Sequence, residues 1–123
     1  MTFSRWVFRV AGAIGLIGLV PIYFTEKQIG IDTPPPITHP EFFYGFVGVA
    51  IAWQVAFLIV GQDPVRYRPL MIPSMIEKFT FSIAVWVLFF QGRLGGQMLG
   101  PGTFDLILGV LFVVAFRRTA PAG

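Results

Sequence analysis

Few side chains in this chain could do chemistry, and Glu77 is the strongest candidate. It lies near the start of a long apolar run, so we expect it inside a helix and partly withdrawn from water. One interpretation is an acid that handles protons or binds the polar head of a ligand. The other is an ion pair with an arginine, or stabilisation of the helix's first turn. The candidate arginines are Arg9, Arg66 and Arg68.

Several other polar residues interrupt or flank the apolar runs. Gln54 lies in mid-run, which predicts an interhelical hydrogen bond, with a ligand contact as the alternative. Gln91 and Asp105 should lie near the outer end of the protein. There Asp105 could join His39 and Glu41 in a hydrogen-bond cluster, or it could simply cap the last helix. We predict no metal site, because His39 is the only histidine.

The sequence carries no recognisable catalytic set. It has no cysteine, and its single histidine has no plausible serine–aspartate partners. No glycine-rich loop of the phosphate-binding kind is present. We therefore predict no catalytic residue, no cofactor and no enzymatic activity.

The composition is that of a membrane protein. Hydrophobic residues make up 55% of the 123 residues and charged residues only 12%, against roughly 25% charged in soluble domains. The mean hydropathy is +0.76. The net charge of +3 includes no basic patch, so nucleic acid is not an expected partner.

The apolar runs predict one transmembrane domain over residues 1–123, with four spans. A span needs about 20 helical residues, and the runs cover about 6–24, 42–60, 73–91 and 103–116. The first run could be a cleaved signal peptide, but no small-residue cleavage pattern follows it. The predicted fold class is an all-α, integral membrane four-helix bundle.

Proline and glycine mark the predicted connections. The segment 32–41 contains four prolines and should be non-helical, and 92–102 should be a glycine-rich turn with Thr103 as the N-cap of the last helix. Pro21 should bend or end the first helix.

Basic residues predict the orientation. Of the nine lysines and arginines, only Lys27 and Arg93 fall on the side of the proline-rich loop. Both termini and the turn "DPVRYRPL" (63–70) should therefore face the cytoplasm, in the inner membrane of a cell.

In that turn Arg66, Tyr67 and Arg68 should contact lipid headgroups. Lys78 should reach the headgroups along its stem.

Helical spacing predicts which faces meet inside the bundle. Small residues at i, i+4 spacing allow close helix packing, and intramembrane acids avoid lipid. The predicted inward stripes are Ala11, Gly15 and Gly18; Glu41, Gly45, Gly48, Ala52 and Ala56; Glu77, Phe81, Ala84, Leu88 and Gln91; and Asp105, Gly109, Phe112 and Phe116.

The central part of the chain resembles small bacterial four-helix proteins of the DoxX-like kind. The resemblance lies in the segment "GVAIAWQVAFLIVGQDPVRYRPLMIPSMIEK". In these proteins a helix runs into such a turn, and the third helix has an acid near its start. This resemblance covers the central half of the chain and implies an inner-membrane four-helix protein. Most such proteins lack an assigned activity, so no catalytic residue carries over. A more distant likeness is to four-helix sterol-isomerase and lipid-binding bundles, but their core histidine has no counterpart, since His39 lies in a loop.

These observations favour a non-enzymatic membrane protein. It would be an accessory subunit of a membrane complex or a bundle that binds lipid or another hydrophobic ligand. Its partners would be membrane lipids and other membrane subunits, or a second copy. One alternative is an isomerase-like membrane enzyme with Glu77 as acid or base. Another is a transporter of protons or small solutes, which 123 residues leave little room to build.

Overall fold

The computed structural model describes residues 2–121, which fold as an all-α bundle. The helices, in chain order, are α1 (Thr2–Ile22), α2 (Glu26–Asp32), α3 (Pro40–Gln62), α4 (Met71–Phe90) and α5 (Leu99–Arg118). Single 3₁₀ turns, Arg68–Leu70 and Gly96–Met98, precede α4 and α5. No strand occurs in this part of the chain.

All four long helices are long and apolar enough to cross a membrane. At 1.5 Å per residue, about 20 residues span roughly 30 Å, the thickness of a bilayer's hydrocarbon core. The chain is therefore a multi-pass membrane protein, and the predicted number of long apolar helices, four, is confirmed. The short helix α2 was not predicted from the sequence.

Proline and glycine set the helix ends, with two departures from the prediction. The helix α3 begins at Pro40, inside the segment 32–41 that was predicted to be non-helical. The first helix ends one residue after Pro21, as predicted. Gly92 takes a φ of +72° after α4, and the N–H of Arg93 donates to Leu88 O, which closes the helix with a Schellman motif. The helix α5 begins before the predicted cap Thr103. It can do so because Pro101 lies in the first turn, where its missing N–H removes no helical hydrogen bond.

The two ends of the chain meet at one end of the bundle. Ser4 Oγ donates to Ala115 O at 3.1 Å, and it lies 2.6 Å from the Thr119 hydroxyl. The turn between α3 and α4 lies at the same end, because the four long helices alternate in direction. The termini and the arginine-bearing turn therefore share one side, as an even number of spans requires.

The helices pack as two close pairs. Backbone contact is concentrated between α1 and α3 and between α4 and α5. Gly12 lets α1 approach α3, since a Cβ there would lie 2.7 Å from Gln54 O, and Gly102 brings α5 against Val85 in the same way. By contrast, α3 and α4 meet mainly through side chains, such as the rings of Phe46 and Phe81, 6.2 Å apart.

A layer of aromatic rings joins the two pairs. Phe8 stacks on Phe112 with ring centroids 4.2 Å apart, and Phe57 meets Phe112 edge-on at 5.0 Å. All three are fully buried. They lie within about two turns of the helix ends at the side of the termini. The core is completed by Ala11, Val60, Met71, Leu108 and Ala115.

The structure corrects two of the predicted inward stripes. On α3 the buried face includes Gln54, while Gly45 and Ala52 of the predicted stripe are exposed. Nearly every residue of α3 is apolar, so its inward face is decided by the amide, which lipid tolerates least. On α4 the buried residues are Met71, Ser74, Lys78, Ser82 and Val85, and the Glu77 stripe lies beside them.

The other two stripes agree more closely with the structure. On α5, Gly109 and Phe112 are buried as predicted. On α1, Ala11 is buried and Gly15 packs against Gln54, but Gly18 is exposed with no atom near its missing Cβ.

Candidate functional site

The charged residues inside the membrane span converge on Lys78. Its Nζ lies 3.4 Å from Asp105 Oδ1 and 3.5 Å from Glu77 Oε2. The Lys78 side chain is 5% exposed, that of Glu77 21% and that of Asp105 19%. We call these three residues the buried triad.

The α4–α5 pair positions the buried triad. Lys78 and Asp105 each lie about two turns from the start of their helices. Because the two helices run in opposite directions, the flexible lysine stem bridges the distance between them. Close packing holds this register, since a Cβ on Gly109 would lie 2.8 Å from the ring of Phe79.

Phe57 closes the α3 side of the buried triad. Its ring centroid lies 5.1 Å from Lys78 Nζ, within cation–π range. The ring also belongs to the aromatic layer, so the ammonium is fixed by the same packing that joins the two helix pairs. The serines on the buried face of α4 bond to their own helix: Ser74 Oγ donates to Leu70 O at 2.7 Å and Ser82 Oγ to Phe79 O at 3.3 Å.

The two carboxyl groups contact the lysine differently. Lys78 donates a hydrogen bond to Asp105 Oδ1, whereas Glu77 Oε2 is buried with no hydrogen-bond partner. Its 3.5 Å contact with the ammonium is an ion pair outside hydrogen-bond geometry. A charged residue at the centre of a membrane helix costs about 2.5–3.5 kcal/mol, so this mutual pairing is what makes three such residues tolerable.

This arrangement corrects three sequence-based expectations. Glu77 pairs with Lys78 rather than with Arg9, Arg66 or Arg68. Lys78 does not extend to the headgroups, because it is buried and contacts the carboxyl groups of Glu77 and Asp105. Asp105 lies about two turns from the outer end of α5, and it binds Lys78 rather than His39 or Glu41.

Lys78 is the residue that sequence reasoning missed. The missed signal was its spacing, because Ser74, Lys78 and Ser82 follow one another at i, i+4 and i+8 and so share a face. Three polar residues on one face of a membrane helix indicate an inward face more strongly than the single acid at Glu77.

The remaining site candidates lie elsewhere. Gln54 Nε2 donates to Ala50 O of its own helix at 2.9 Å, and its buried Oε1 faces Gly15 without a hydrogen-bond partner. The predicted interhelical hydrogen bond from Gln54 is therefore replaced by a contact with α1. Gln91 is exposed just after α4 and accepts a hydrogen bond from Arg93 at 3.2 Å.

The outer loop holds only part of the predicted cluster. His39 Nδ1 lies 3.0 Å from Glu41 Oε1, but Asp105 is bound to Lys78 instead. Within residues 2–121 no group of three or more histidine, aspartate or glutamate side chains could hold a metal ion.

The arginines of the 63–70 turn differ in their surroundings. Arg66 is exposed, with its guanidinium 5.4 Å from the ring of Tyr67. Arg68 is partly buried; its Nε donates to Phe116 O at 3.2 Å and its guanidinium lies 3.7 Å from the Phe116 ring. Arg68 therefore caps the end of α5. Arg9 lies beside Gly61 and over the ring of Trp6.

The outward face of α4 carries an apolar groove of about 580 Å³. Ile76, Thr80, Ile83 and Val87 line it. The Thr80 hydroxyl donates to Ile76 O of its own helix at 2.8 Å. The groove therefore offers almost no free polar group and suits an acyl chain.

Comparisons with protein-family models, curated proteins and solved structures give no match to this chain.

Proposed function

We propose that this protein is a non-enzymatic accessory subunit of a membrane assembly, and that it binds a neighbouring transmembrane helix through the outward face of α3. The observation that carries the proposal is the small-residue face of α3, formed by Gly45, Gly48, Ala52 and Ala56. This is the stripe that helical spacing predicted to face inward. It points away from the bundle, opposite the buried Gln54.

Glycines inside the bundle behave differently from those on this face. A Cβ on Gly12, Gly61 or Gly102 would come within 3 Å of a neighbouring helix. A Cβ on Gly45 or Gly48 would meet no atom within 4 Å. The glycines inside the bundle therefore allow close packing between helices of this chain. Gly45 and Gly48 contact no other helix of the chain.

A helix that faces only lipid gains nothing from small residues. Glycine costs about 1 kcal/mol relative to alanine in a helix, and lipid chains pack equally well on larger side chains. Small residues at four-residue spacing are the usual means by which membrane helices approach one another. A second transmembrane helix is therefore the partner that fits this face.

Cysteine crosslinking tests the proposal directly, because the chain has no cysteine of its own. Ala52→Cys places a single thiol on the small-residue face of α3, and Ala13→Cys places one on the exposed side of α1. Labelling both thiols with a photo-activated crosslinker in native membranes should give a defined protein adduct at Ala52 only. Equal adducts at both positions, or none at Ala52, would contradict the proposal.

The same experiment distinguishes self-association from association with another protein. A second copy would give an adduct of twice the chain's mass, and mild oxidation would join two Ala52→Cys chains by a disulfide. Another subunit would give an adduct of different mass, identified by mass spectrometry.

A second candidate function, binding of lipid or another hydrophobic ligand, is favoured by the groove on α4. The groove is shallow and open, and its lining is almost wholly apolar, so an acyl chain could lie along it. Native mass spectrometry of the protein released from nanodiscs should show a retained lipid. Replacing Thr80, which lines the groove, with Trp should remove it, whereas Thr2→Trp at the exposed start of α1 should not.

The other interpretations have separate tests. An isomerase-like enzyme with Glu77 as acid or base would lose turnover in Glu77→Gln, and a transporter would show flux in liposomes. Location in the inner membrane, cytoplasmic termini and the DoxX-like relationship remain predictions. Reporter fusions at either terminus should report the cytoplasm, since both termini lie with the arginine-bearing turn.

A further inference from the structure

The buried triad has more negative than positive charge. One ammonium and two carboxylates sum to −1 if all three groups are ionised, and the three side chains are at most 21% exposed. An unbalanced charge in low-dielectric surroundings is strongly disfavoured unless a counter-charge binds. The site therefore requires one more positive charge than its side chains supply.

No neighbouring helix supplies that charge. The α3 side presents the apolar ring of Phe57 to Lys78. Arg9 of α1 packs beside Gly61 and over the ring of Trp6, and it forms no ion pair with the buried triad. Apart from the contacts within the buried triad, the only ion pair among residues 2–121 joins His39 to Glu41 in the outer loop.

A metal cation does not suit the site. Hard cations such as Mg²⁺ and Ca²⁺ need about six or more oxygen ligands. The buried triad supplies only two carboxyl groups, and no group of three or more histidine, aspartate or glutamate side chains within residues 2–121 could hold a metal ion. A proton needs only one carboxylate oxygen.

We propose that the buried triad is a binding site for one proton, which resides on Glu77 while Lys78 and Asp105 remain an ionised pair. The hydrogen bonds assign the proton to Glu77. Asp105 accepts a hydrogen bond from the ammonium, which stabilises its charged form, whereas Glu77 Oε2 has no donor.

We expect the site to exchange its proton with water at the side of the termini. Glu77 lies about two turns from the start of α4 at the side of the termini, and about a fifth of its side chain is exposed. Releasing the proton to water would leave the net charge of −1 described above. The site is separate from the small-residue face of α3, so it does not depend on the association proposed there.

Infrared spectroscopy of the whole protein tests the proposal without any substitution. The protein is purified into an ester-free detergent at neutral pH, where a protonated carboxyl gives a C=O band distinct from that of a carboxylate. Labelling glutamate with ¹³C should move this band, and labelling aspartate should not. Absence of the band, or its movement with aspartate, would overturn the assignment.

Three variants give a second, independent test. Glu77→Gln should remove the band, and Lys78→Met should increase its area about twofold, because both carboxyl groups must then be protonated. Glu41→Gln, at an exposed glutamate of the outer loop, should leave the band unchanged. A band that survives in a folded Glu77→Gln protein would exclude Glu77 as the proton carrier. Changing Na⁺ for K⁺ should have no effect, and a band that disappears in one of these salts would instead indicate a metal cation.

Discussion

Lys78 Nζ lies 3.4 Å from Asp105 Oδ1, and this hydrogen bond joins two consecutive helices within the membrane span. Neither residue lies near the other in the sequence, and neither lies at a helix end. Their contact therefore depends on how α4 and α5 are aligned along their length. Lys78 is the only intramembrane lysine among the described residues.

Removing the lysine should destabilise the bundle strongly. Lys78→Met removes the cation that pairs with Asp105, and breaking a buried ion pair by removing one partner costs about 3–5 kcal/mol. Unfolding in mixed micelles followed by circular dichroism measures the loss. The control is Lys27→Met in the exposed helix α2, which should be neutral. Equal stability of the two variants would mean that the buried triad contributes nothing to the fold.

Two glycines in the first turn of α5 should respond oppositely to alanine. Gly102→Ala places a Cβ 2.9 Å from Val85 Cβ, which cannot move without shifting α4, so we expect a loss of about 1–3 kcal/mol. Gly100→Ala meets nothing within 4 Å and should leave stability unchanged or raise it by about 0.5 kcal/mol. The measurement is the free energy of unfolding of both variants, and a tolerated Gly102→Ala would contradict the close α4–α5 packing.

The same comparison applies to α1. In Gly15→Ala the new Cβ would overlap the end of the buried Gln54 side chain, which must then move and give up its hydrogen bond to Ala50 O, at about 1 kcal/mol. Gly18→Ala, about one turn further along, has open space. Thermal unfolding should show a lower midpoint for Gly15→Ala only. Adding Gln54→Ala should recover part of the loss, and failure to do so would place the strain elsewhere.

Lysine substitutions at Arg68 and Arg66 should distinguish the effect of the positive charge on stability from that of the planar guanidinium. Arg68→Lys keeps the positive charge but loses the planar contact with Phe116 and the hydrogen bond to its carbonyl, so stability should fall by about 1–2 kcal/mol. Arg66→Lys should be neutral, because Arg66 is exposed. Reporter fusions should show unchanged orientation in both. Reversed orientation in Arg68→Lys would show that topology depends on more than charge.

The number and places of the spans could be predicted because hydropathy and proline depend on local sequence alone. Which side of each helix faces the bundle was harder to predict. In α3 the small residues and Gln54 lie on opposite sides of a helix that is otherwise apolar. One rule places small residues at helix contacts and the other places polar side chains away from lipid, so the two rules predict opposite inward faces. The structure places the amide inside.

The site was predicted only in part for a related reason. Glu77 and Asp105 could be identified as acids in apolar runs, but their common partner could not, because contact between Lys78 and Asp105 depends on the register of two helices. That register is set by Gly102 and Gly109 against Val85 and Phe79, which no local pattern reveals.

The contact between Lys78 and Asp105 also bears on how the chain enters the bilayer during synthesis. Its two residues lie on consecutive helices, joined only by residues 91–98, so α4 and α5 can leave the translocation machinery together as a helical hairpin. With the proton on Glu77, α4 inserted singly would expose the charge of Lys78 to lipid and α5 that of Asp105. Inserted as a hairpin, the two helices would neutralise each other before they meet α1 and α3.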